Sequence, residues 1–280
     1  MELLLESLKL HNISLPKKQI KQLHTYCQLL WDWNSQFNLT RHLTFERFVA
    51  RDLIDSIAIS EFLQKNEHIL DVGSGGGVPG IILKIIRPDL NIELCDSTGK
   101  KALALSEIAN ELELDVNIHH EKAESILANS ITKKNKKYTP QNKKFQKTEQ
   151  ETEQNEQKKF TTLTIRAVAK LTQLLKIFSP HWTLFDRLLL IKGPNWVNER
   201  SEARHLNLMN KLALRILKTY PTQINTTPQN QTQNNTNTIN SVILQICQKN
   251  DIQQLEQIIN KHKINTQKIE KQKKYHHKPK

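Results

Sequence analysis

A glycine-rich turn after a short apolar strand constrains this chain more than any other feature of its sequence. Residues 71–80 read DVGSGGGVPG and continue the apolar run HILDV, which ends at Val72. The chain has only 7 glycines in 280 residues, so their clustering here is informative. A buried strand that ends in glycines is typical of a parallel sheet whose first strand-to-helix turn approaches a ligand. Glycine suits such a turn because it allows a positive φ and a close approach of the backbone.

Beyond residue 68, short apolar runs alternate with helical patterns. Strands are predicted at residues 68–72, 91–96, 116–119, 160–165, 187–192, 215–220 and 242–247. Helices are predicted from Pro79 onward, over 98–112, over 171–178 and near 198–212. This alternation predicts an α/β fold with an open, doubly wound, mostly parallel sheet of seven strands. The last two strands are predicted to form a hairpin at the sheet edge.

The rest of the chain divides by composition. Residues 1–62 show helical spacing and are predicted to form an N-terminal helical cap, with one helix after Pro16 and a second over 44–62. The sheet domain is predicted over 63–250. The polar stretches within it are a disordered insert at 129–159, rich in Lys, Gln and Glu, and a Thr/Gln/Asn-rich loop at 222–240. Residues 251–280 are a basic tail.

The charge balance and the cysteines limit the partners and the compartment. Lys and Arg total 41 against 28 Asp and Glu, a formal net charge of +13, which favours polyanionic partners such as nucleic acid. The cysteines, Cys27, Cys95 and Cys247, are far apart and lack metal-ligand spacing with histidines, so we expect a reducing compartment and no metal site. No apolar run approaches the ~18 residues of a membrane span. We expect a cytoplasmic monomer with no membrane partner.

Two nucleotide-binding interpretations fit the glycine turn. The spacing GxGxxG at residues 75–80 matches the dinucleotide fingerprint, and the acidic-x-Gly-x-Gly-x-Gly pattern at 71–77 resembles motif I of class I S-adenosylmethionine methyltransferases. Asp96 ends the second strand, where a carboxylate can accept hydrogen bonds from both ribose hydroxyls of an adenosine. Both interpretations predict this contact, so Asp96 indicates nucleoside binding without choosing the cofactor. The turn residues expected to line the cofactor are Asp71, Gly73, Gly75 and Gly77.

Several short motifs, in order along the chain, make a resemblance specific. They are FNLT at 37–40, RDLIDS at 51–56, LDVGSGGGVPGI at 70–81, CDSTGKK at 95–101, RAVA at 166–169 and LIKG at 190–193. Their order and spacing resemble the RsmG (glucose-inhibited division protein B) family, whose members methylate N7 of a guanine in bacterial 16S ribosomal RNA. The resemblance covers about residues 15–250, apart from the polar stretches. Asp52 stands where the family usually has histidine.

The resemblance implies a Rossmann-like, class I S-adenosylmethionine-dependent methyltransferase fold and a set of site residues. Position by position, it implies that Gly73 and Val78 in the turn, Ala123 and Glu124 after the third strand, and Arg166 past the fourth strand bind S-adenosylmethionine.

Two further basic residues are candidates for contact with RNA. Arg51 lies four residues before Asp55, so it either pairs with that acid on a helix or faces the RNA. Lys192 ends the fifth strand, at the sheet edge where the ligand sites of such folds cluster.

The expected reaction is methyl transfer to guanine N7 in 16S ribosomal RNA, either free or in a small ribosomal subunit precursor. Guanine N7 carries an unprotonated lone pair at neutral pH, so we expect no general base, and catalysis would rest mostly on placement. Two alternatives stay open on the sequence. One is a nucleotide-dependent oxidoreductase that uses the dinucleotide fingerprint, and the other is a non-catalytic RNA-binding protein.

Overall fold

The computed structural model describes residues 1–132, 160–222 and 239–251. The strands are β1 (His68–Val72), β2 (Asn91–Cys95), β3 (Asn117–His119), β4 (Phe160–Arg166), β5 (Phe185–Lys192), β6 (Leu212–Thr222) and β7 (Ile239–Gln248). The helices are α1 (Glu2–Leu10), α2 (Lys17–Asn34), α3 (Phe45–Arg47), α4 (Ile54–Ser60), α5 (Gly80–Ile86), α6 (Gly99–Glu111), α7 (Ala123–Thr132), α8 (Leu171–Phe178) and α9 (Trp196–His205). A π-helical turn, Phe48–Leu53, joins α3 to α4, and 3₁₀ turns lie at Ser179–His181 and Lys249–Asp251.

The strands form one seven-stranded sheet in the order β3-β2-β1-β4-β5-β7-β6. Strands β1 to β5 pair in parallel, and β7 pairs antiparallel with both β5 and β6. The predicted fold is therefore confirmed, including the hairpin that places β6 at the edge. The carboxyl ends of β1, β2, β4 and β5 lie at one edge of the sheet, which is where folds of this class bind ligands.

Helices cover both faces of the sheet and create two cores. One core joins the N-terminal helices to α5, α6 and one sheet face, with Leu23, Leu53, Ile69, Ile81 and Leu105 all fully buried. The other core packs α7, α8 and α9 against the opposite face. The predicted helical cap is thus packed directly onto the sheet domain. In the described parts of the chain, none of the helices combines the length and the apolar character that crossing a bilayer requires.

The structure differs from the predicted elements at three places. The helix predicted over 44–62 is divided into α3, the π-helical turn and α4. The helix predicted near 198–212 begins at Trp196 and ends at His205, because Leu212 already belongs to β6. The insert predicted at 129–159 begins later, since α7 continues to Thr132.

The remaining polar segments lie largely outside the described residues. These are 133–159 of the predicted insert, 223–238 of the predicted 222–240 loop, and 252–280 of the predicted tail. Thr222, Ile239 and Asn240 belong to β6 and β7 rather than to the loop.

Candidate cofactor site

The glycine turn folds back at the carboxyl end of β1. Gly73, Gly75 and Gly77 have φ values of +63°, +57° and +94°, a region that side chains other than glycine rarely adopt. A β carbon at Gly73 would lie 2.6 Å from Val168 Cγ2, whereas one at Gly75 would meet only the Gly73 carbonyl oxygen, at 3.9 Å. The turn is therefore tightly packed at Gly73 and open over Gly75, as a ligand cradle requires.

Asp71 lies beneath the turn and is fully buried. Its Oδ2 accepts from the Gly80 N–H at 3.2 Å, and its Oδ1 accepts from the Thr164 hydroxyl at 2.7 Å. Burial raises the pKa of Asp71 to about 6, although the hydrogen bonds that it accepts oppose the shift. Asp71 thus joins β1 to the start of α5 and to β4, and it supports the turn from inside the fold.

Asp96 supports the turn from β2. Its Oδ2 accepts from the Gly75 N–H at 3.0 Å, and its Oδ1 accepts from the Thr98 N–H at 2.8 Å. The Ser74 N–H donates to the Cys95 carbonyl oxygen at 3.0 Å. The carboxylate therefore orders the backbone around it, and since each oxygen has further lone-pair capacity it can still accept from ribose hydroxyls.

Arg166 ends β4 and faces the cap. Its Nε donates to Asp55 Oδ2 at 2.8 Å, and its Nη2 donates to Asp52 Oδ1 at 2.7 Å. Both aspartates are buried, with 1% and 2% of their surface exposed. Burial opposes the charge of Arg166, but Asp52 and Asp55 outweigh it and hold the pKa of the guanidinium above its usual value.

Further side chains complete this charged cluster. His42 Nδ1 lies 2.9 Å from both Asp52 oxygens, and the Tyr220 hydroxyl donates to Asp55 Oδ1 at 2.7 Å. Burial and the nearby Asp55 raise the pKa of Tyr220, so the phenol stays a neutral donor. The cluster connects the cap, β4 and β6 next to the glycine turn.

The cap also reaches the turn directly. The Tyr26 hydroxyl of α2 donates to the Gly76 carbonyl oxygen at 2.7 Å. Phe37, beyond the end of α2, stacks on Trp33 with ring centroids 5.8 Å apart, and the Lys100 ammonium lies 5.3 Å from the Phe37 centroid. The loop after α2 is thereby held against the start of α6, close to the turn.

Ala123 and Glu124 open α7, just past β3. Ala123 is buried in the second core, and Glu124 is partly exposed. Burial, with smaller contributions from acids that include Asp71, Asp96 and Glu124, raises the pKa of the Cys95 thiol to about 12. Because α7 follows the carboxyl end of β3, which runs parallel to β2 and β1, the start of α7 lies at the same sheet edge as the glycine turn.

Comparison with known proteins identifies the family. The model of the family described as rRNA small subunit methyltransferase G (GidB) matches residues 19–226. The chain belongs to this family. A relative named ribosomal RNA small subunit methyltransferase G from Rhodopirellula baltica is 42% identical over 199 residues, which cover 71% of this chain and 74% of the relative. A relative of the same name from a Roseiflexus species is 30% identical over 226 residues, covering 80% of this chain and 86% of the relative.

Solved structures give more distant similarities. A precorrin-6y C5,15-methyltransferase from Geobacter metallireducens superposes with a TM-score of 0.45 at 10% identity, covering 77% of this chain and 95% of that one. An rRNA methylase from Streptococcus thermophilus gives a TM-score of 0.41 at 10% identity, covering 71% of this chain and 98% of that one.

The residues predicted to bind the cofactor, from the turn pattern and from the family resemblance, lie along one sheet edge. Gly73, Gly75 and Gly77 form the turn, with Asp71 beneath it and Asp96 beside it. Val78 is partly buried against the first core. Ala123, Glu124 and Arg166 follow neighbouring strands of the same edge. They share the carboxyl edge of the sheet, and their contact with a cofactor stays a prediction.

The two candidate RNA contacts differ in their surroundings. Lys192 Nζ donates to the Ala169 carbonyl oxygen and to Glu199 Oε2, both at 2.7 Å, so the ammonium joins the loop after β4 to α9. Asp55 is bonded to Arg166 and Tyr220, so the helical pair that Arg51 could form with it is absent. Within the described ranges, partly exposed Arg51 has no ion-pair partner.

Sequence reasoning left out Tyr26, His42 and Tyr220. Tyr26 and Tyr220 lie 50 and 165 positions from their partners, His42 lies 10 positions from Asp52, and none of the three matches a short motif. Asp52 and Asp55 could have indicated such partners from the sequence alone. Two acids among the apolar residues of a helix need buried hydrogen-bond donors to offset the cost of their burial.

Proposed function

We propose that this chain transfers the methyl group of S-adenosylmethionine to N7 of a guanine in 16S ribosomal RNA. The proposal rests on the family match over residues 19–226, whose relatives are named ribosomal RNA small subunit methyltransferase G. We further propose that the enzyme acts as a monomer in the cytoplasm, on 16S ribosomal RNA or on a precursor of the small subunit. The family match favours the methyl-donor interpretation of the turn over the dinucleotide one, and an enzyme over a non-catalytic RNA-binding protein.

The residues of the turn fit the proposed cofactor. The space over Gly75 is open, because a β carbon there would meet no atom closer than 3.9 Å. Asp96 presents a carboxylate at the end of β2, which suits the ribose hydroxyls of an adenosine. Arg166 uses Nε and Nη2 on the two aspartates, and its Nη1 has no protein partner in the ranges that the structure describes. The two N–H groups of Nη1 are thus left to donate to a carboxylate or a base edge.

In the proposed reaction the main task of the protein is to place the reacting atoms of the cofactor and the guanine in line. S-adenosylmethionine, when bound, supplies an electrophilic methyl group on a sulfonium. The glycine turn, Asp96 and the start of α7 would hold the nucleoside half, and Arg166, at the end of β4 beside the turn, would orient a second group of the cofactor or the target base. Since N7 has no proton to lose before attack, these residues need only bring the lone pair, the methyl carbon and the sulfur into line.

A deletion strain tests the proposed function. We expect mass spectrometry of its ribosomal RNA nucleosides to show the loss of one 7-methylguanosine, restored by the wild-type gene. Purified protein incubated with labelled S-adenosylmethionine and under-methylated ribosomal RNA should produce the same nucleoside. Full retention of 7-methylguanosine in the deletion strain would contradict the assignment.

A further inference from the structure

We propose that Tyr26 is a positioning residue for the cofactor: its hydroxyl, which comes from the N-terminal cap, holds the glycine turn in its binding conformation. This inference rests on the proposed function, because it names a cap residue that acts on the same site. Tyr26 is fully buried in α2, and its hydroxyl lies 2.7 Å from the Gly76 carbonyl oxygen, 50 residues further along the chain.

The contact adds a second hydrogen bond to a peptide unit that the turn itself holds at one end only. The Gly76 carbonyl and the Gly77 N–H belong to the same peptide plane, and the Gly77 N–H donates to the Ser74 carbonyl oxygen at 2.7 Å. Both ends of this plane are therefore bonded, one by the turn itself and the other by Tyr26. Glycines flank the plane on both sides and allow many backbone conformations, so the contact from the cap restricts the plane further.

The other bonds of the turn come from the sheet domain. The Ser74 N–H is held by Cys95, and the Gly75 N–H is held by Asp96. In the part of the chain that the structure describes, the Gly76 N–H donates to no protein group. The Tyr26 contact thus orients a residue whose own N–H is left for a ligand.

Packing supports the same role for the cap. A β carbon at Gly76 would lie 3.0 Å from Leu30 Cδ1 and 3.3 Å from the Leu39 carbonyl oxygen. The Leu39 and Thr40 N–H groups both donate to Asn34 Oδ1, at 2.7 and 2.8 Å, so the loop that touches Gly76 is itself ordered. The cap therefore forms one wall of the turn, and Tyr26 supplies its hydrogen bond.

The phenol is suited to a permanent donor role. Burial raises the pKa of Tyr26 well above its ordinary value, with a further contribution from the nearby Asp52. The hydroxyl is consequently protonated at neutral pH and can donate. Its ring packs at 5.9 Å from the Phe48 ring, so a phenylalanine can replace the ring while removing only the hydroxyl.

The test is calorimetric titration of full-length wild type, Tyr26→Phe and Thr162→Val with S-adenosylmethionine. Thr162→Val is a matched control, because this variant also removes one buried hydroxyl. The hydroxyl of Thr162 contacts Glu67 and Arg187 near the amino end of β4, away from the glycine turn. We expect Tyr26→Phe to bind the cofactor about tenfold more weakly, equivalent to about 1.4 kcal/mol. Thr162→Val should bind it as the wild type does, even where its thermal midpoint is lower.

Steady-state kinetics separate a positioning role from a structural one. We expect Tyr26→Phe to raise KM for S-adenosylmethionine while kcat and the affinity for ribosomal RNA stay near wild type. Unchanged cofactor affinity in Tyr26→Phe, or an equal loss in Thr162→Val, would overturn the inference. Should Tyr26→Phe not fold, Gly76→Ala perturbs the same contact from the turn, and unchanged cofactor affinity in that variant would also overturn it.

The outcome for Tyr26 is distinguishable from that of the proposed function. A wild type that binds S-adenosylmethionine but leaves guanine N7 unmethylated contradicts the proposed reaction, whereas the cofactor titrations of the variants still decide the role of Tyr26. A wild type that methylates N7, with Tyr26→Phe equal to it in KM, contradicts the positioning role alone.

Discussion

Arg166 Nε donates to Asp55 Oδ2 across 2.8 Å, although the two residues are 111 positions apart in the sequence. The bond connects the end of β4 to the first turn of α4 and so joins the sheet to the cap beside the glycine turn. Val168, two residues after Arg166, packs where a β carbon of Gly73 would lie. A change in this ion pair should therefore affect both the stability of the cap and the shape of the turn.

Replacing Arg166 by alanine should destabilise the fold and abolish most activity. The change leaves Asp52 and Asp55 buried without their cation, and breaking a buried ion pair in this way costs about 3–5 kcal/mol. Urea unfolding should report that loss, and single-turnover methylation should be slower on the order of 100-fold, because placement is lost. Arg166→Lys is the informative comparison, since it keeps the charge but not the rigid donor fork. Full activity in Arg166→Ala would remove the residue from the site.

Arg51→Ala should weaken RNA binding without weakening the fold. Arg51 is partly exposed beside the buried Asp52. If it contacts a phosphate, its removal should reduce the slope of log affinity against log salt concentration by about 1. Filter binding to ribosomal RNA at several salt concentrations measures this slope, with the thermal midpoint as the control for folding. An unchanged slope excludes a phosphate contact at this position.

Lys192→Met should show the opposite behaviour. The ammonium donates to Ala169 and Glu199, and Glu199 Oε2 also accepts from the Leu171 N–H at 2.8 Å. Removing the ammonium takes one hydrogen-bond donor from the Ala169 carbonyl oxygen and from Glu199 Oε2. We therefore expect a lower thermal midpoint and an RNA affinity that stays at the wild-type level. A selective loss of RNA affinity at an unchanged midpoint would restore Lys192 as an RNA contact.

Three glycine-to-alanine variants should separate strain in the turn from cofactor contact. Gly73→Ala combines a left-handed φ with a contact of 2.6 Å to Val168, so it should cost more than the about 1–2 kcal/mol of backbone strain alone. Gly75→Ala has the strain without the clash, and its loss of S-adenosylmethionine affinity should exceed its loss of stability. Gly193→Ala is the control, because a β carbon there has no atom within 4 Å. Equal cofactor affinity in all three variants would remove the turn from the site.

A short stretch of sequence was sufficient to predict those parts of the candidate site that depend on the backbone conformation of neighbouring residues. The strand, the glycine turn and Asp96 are set by burial over five residues and by the need for positive φ, and both signals are visible in a short window. The pairing of Asp52 and Asp55 with Arg166 was not predictable in this way, because it depends on how the cap packs onto β4. The π-helical turn that carries Asp52 also changes the spacing from which a pair between Arg51 and Asp55 was inferred.

Lys192 illustrates the same limit. Lys192 does end β5, as predicted, but the acid that holds it belongs to α9, and Glu199 matches no motif around Lys192. Helix α7 was not predicted for a different reason, because its end runs without a break into the polar stretch that begins near residue 129.

The pH dependence of stability should include a contribution from Glu93, which lies on β2 between two histidines. Glu93 Oε2 is 2.6 Å from His119 Nε2, and Oε1 is 2.9 Å from His68 Nε2. Hydrogen bonds from His119 first and His68 second lower the pKa of Glu93 to about 2, from an ordinary value of 4.5. A carboxyl whose pKa is lower in the folded state stabilises the fold above its unfolded pKa, and this stabilisation is lost as the pH falls through the folded value.

Glu93→Gln tests this contribution, because glutamine keeps the shape of the side chain but cannot ionise. The free energy of unfolding of the wild type should exceed that of the variant at pH 5, and the difference should shrink as the pH falls from about 4.5 toward 2. Urea unfolding at half-unit pH intervals measures the difference. Glu107→Gln, on the exposed face of α6, is the control for losing one negative charge from a strongly basic protein. A Glu93 difference that stays constant down to pH 2 would show that the two histidines do not hold this carboxylate in its charged form.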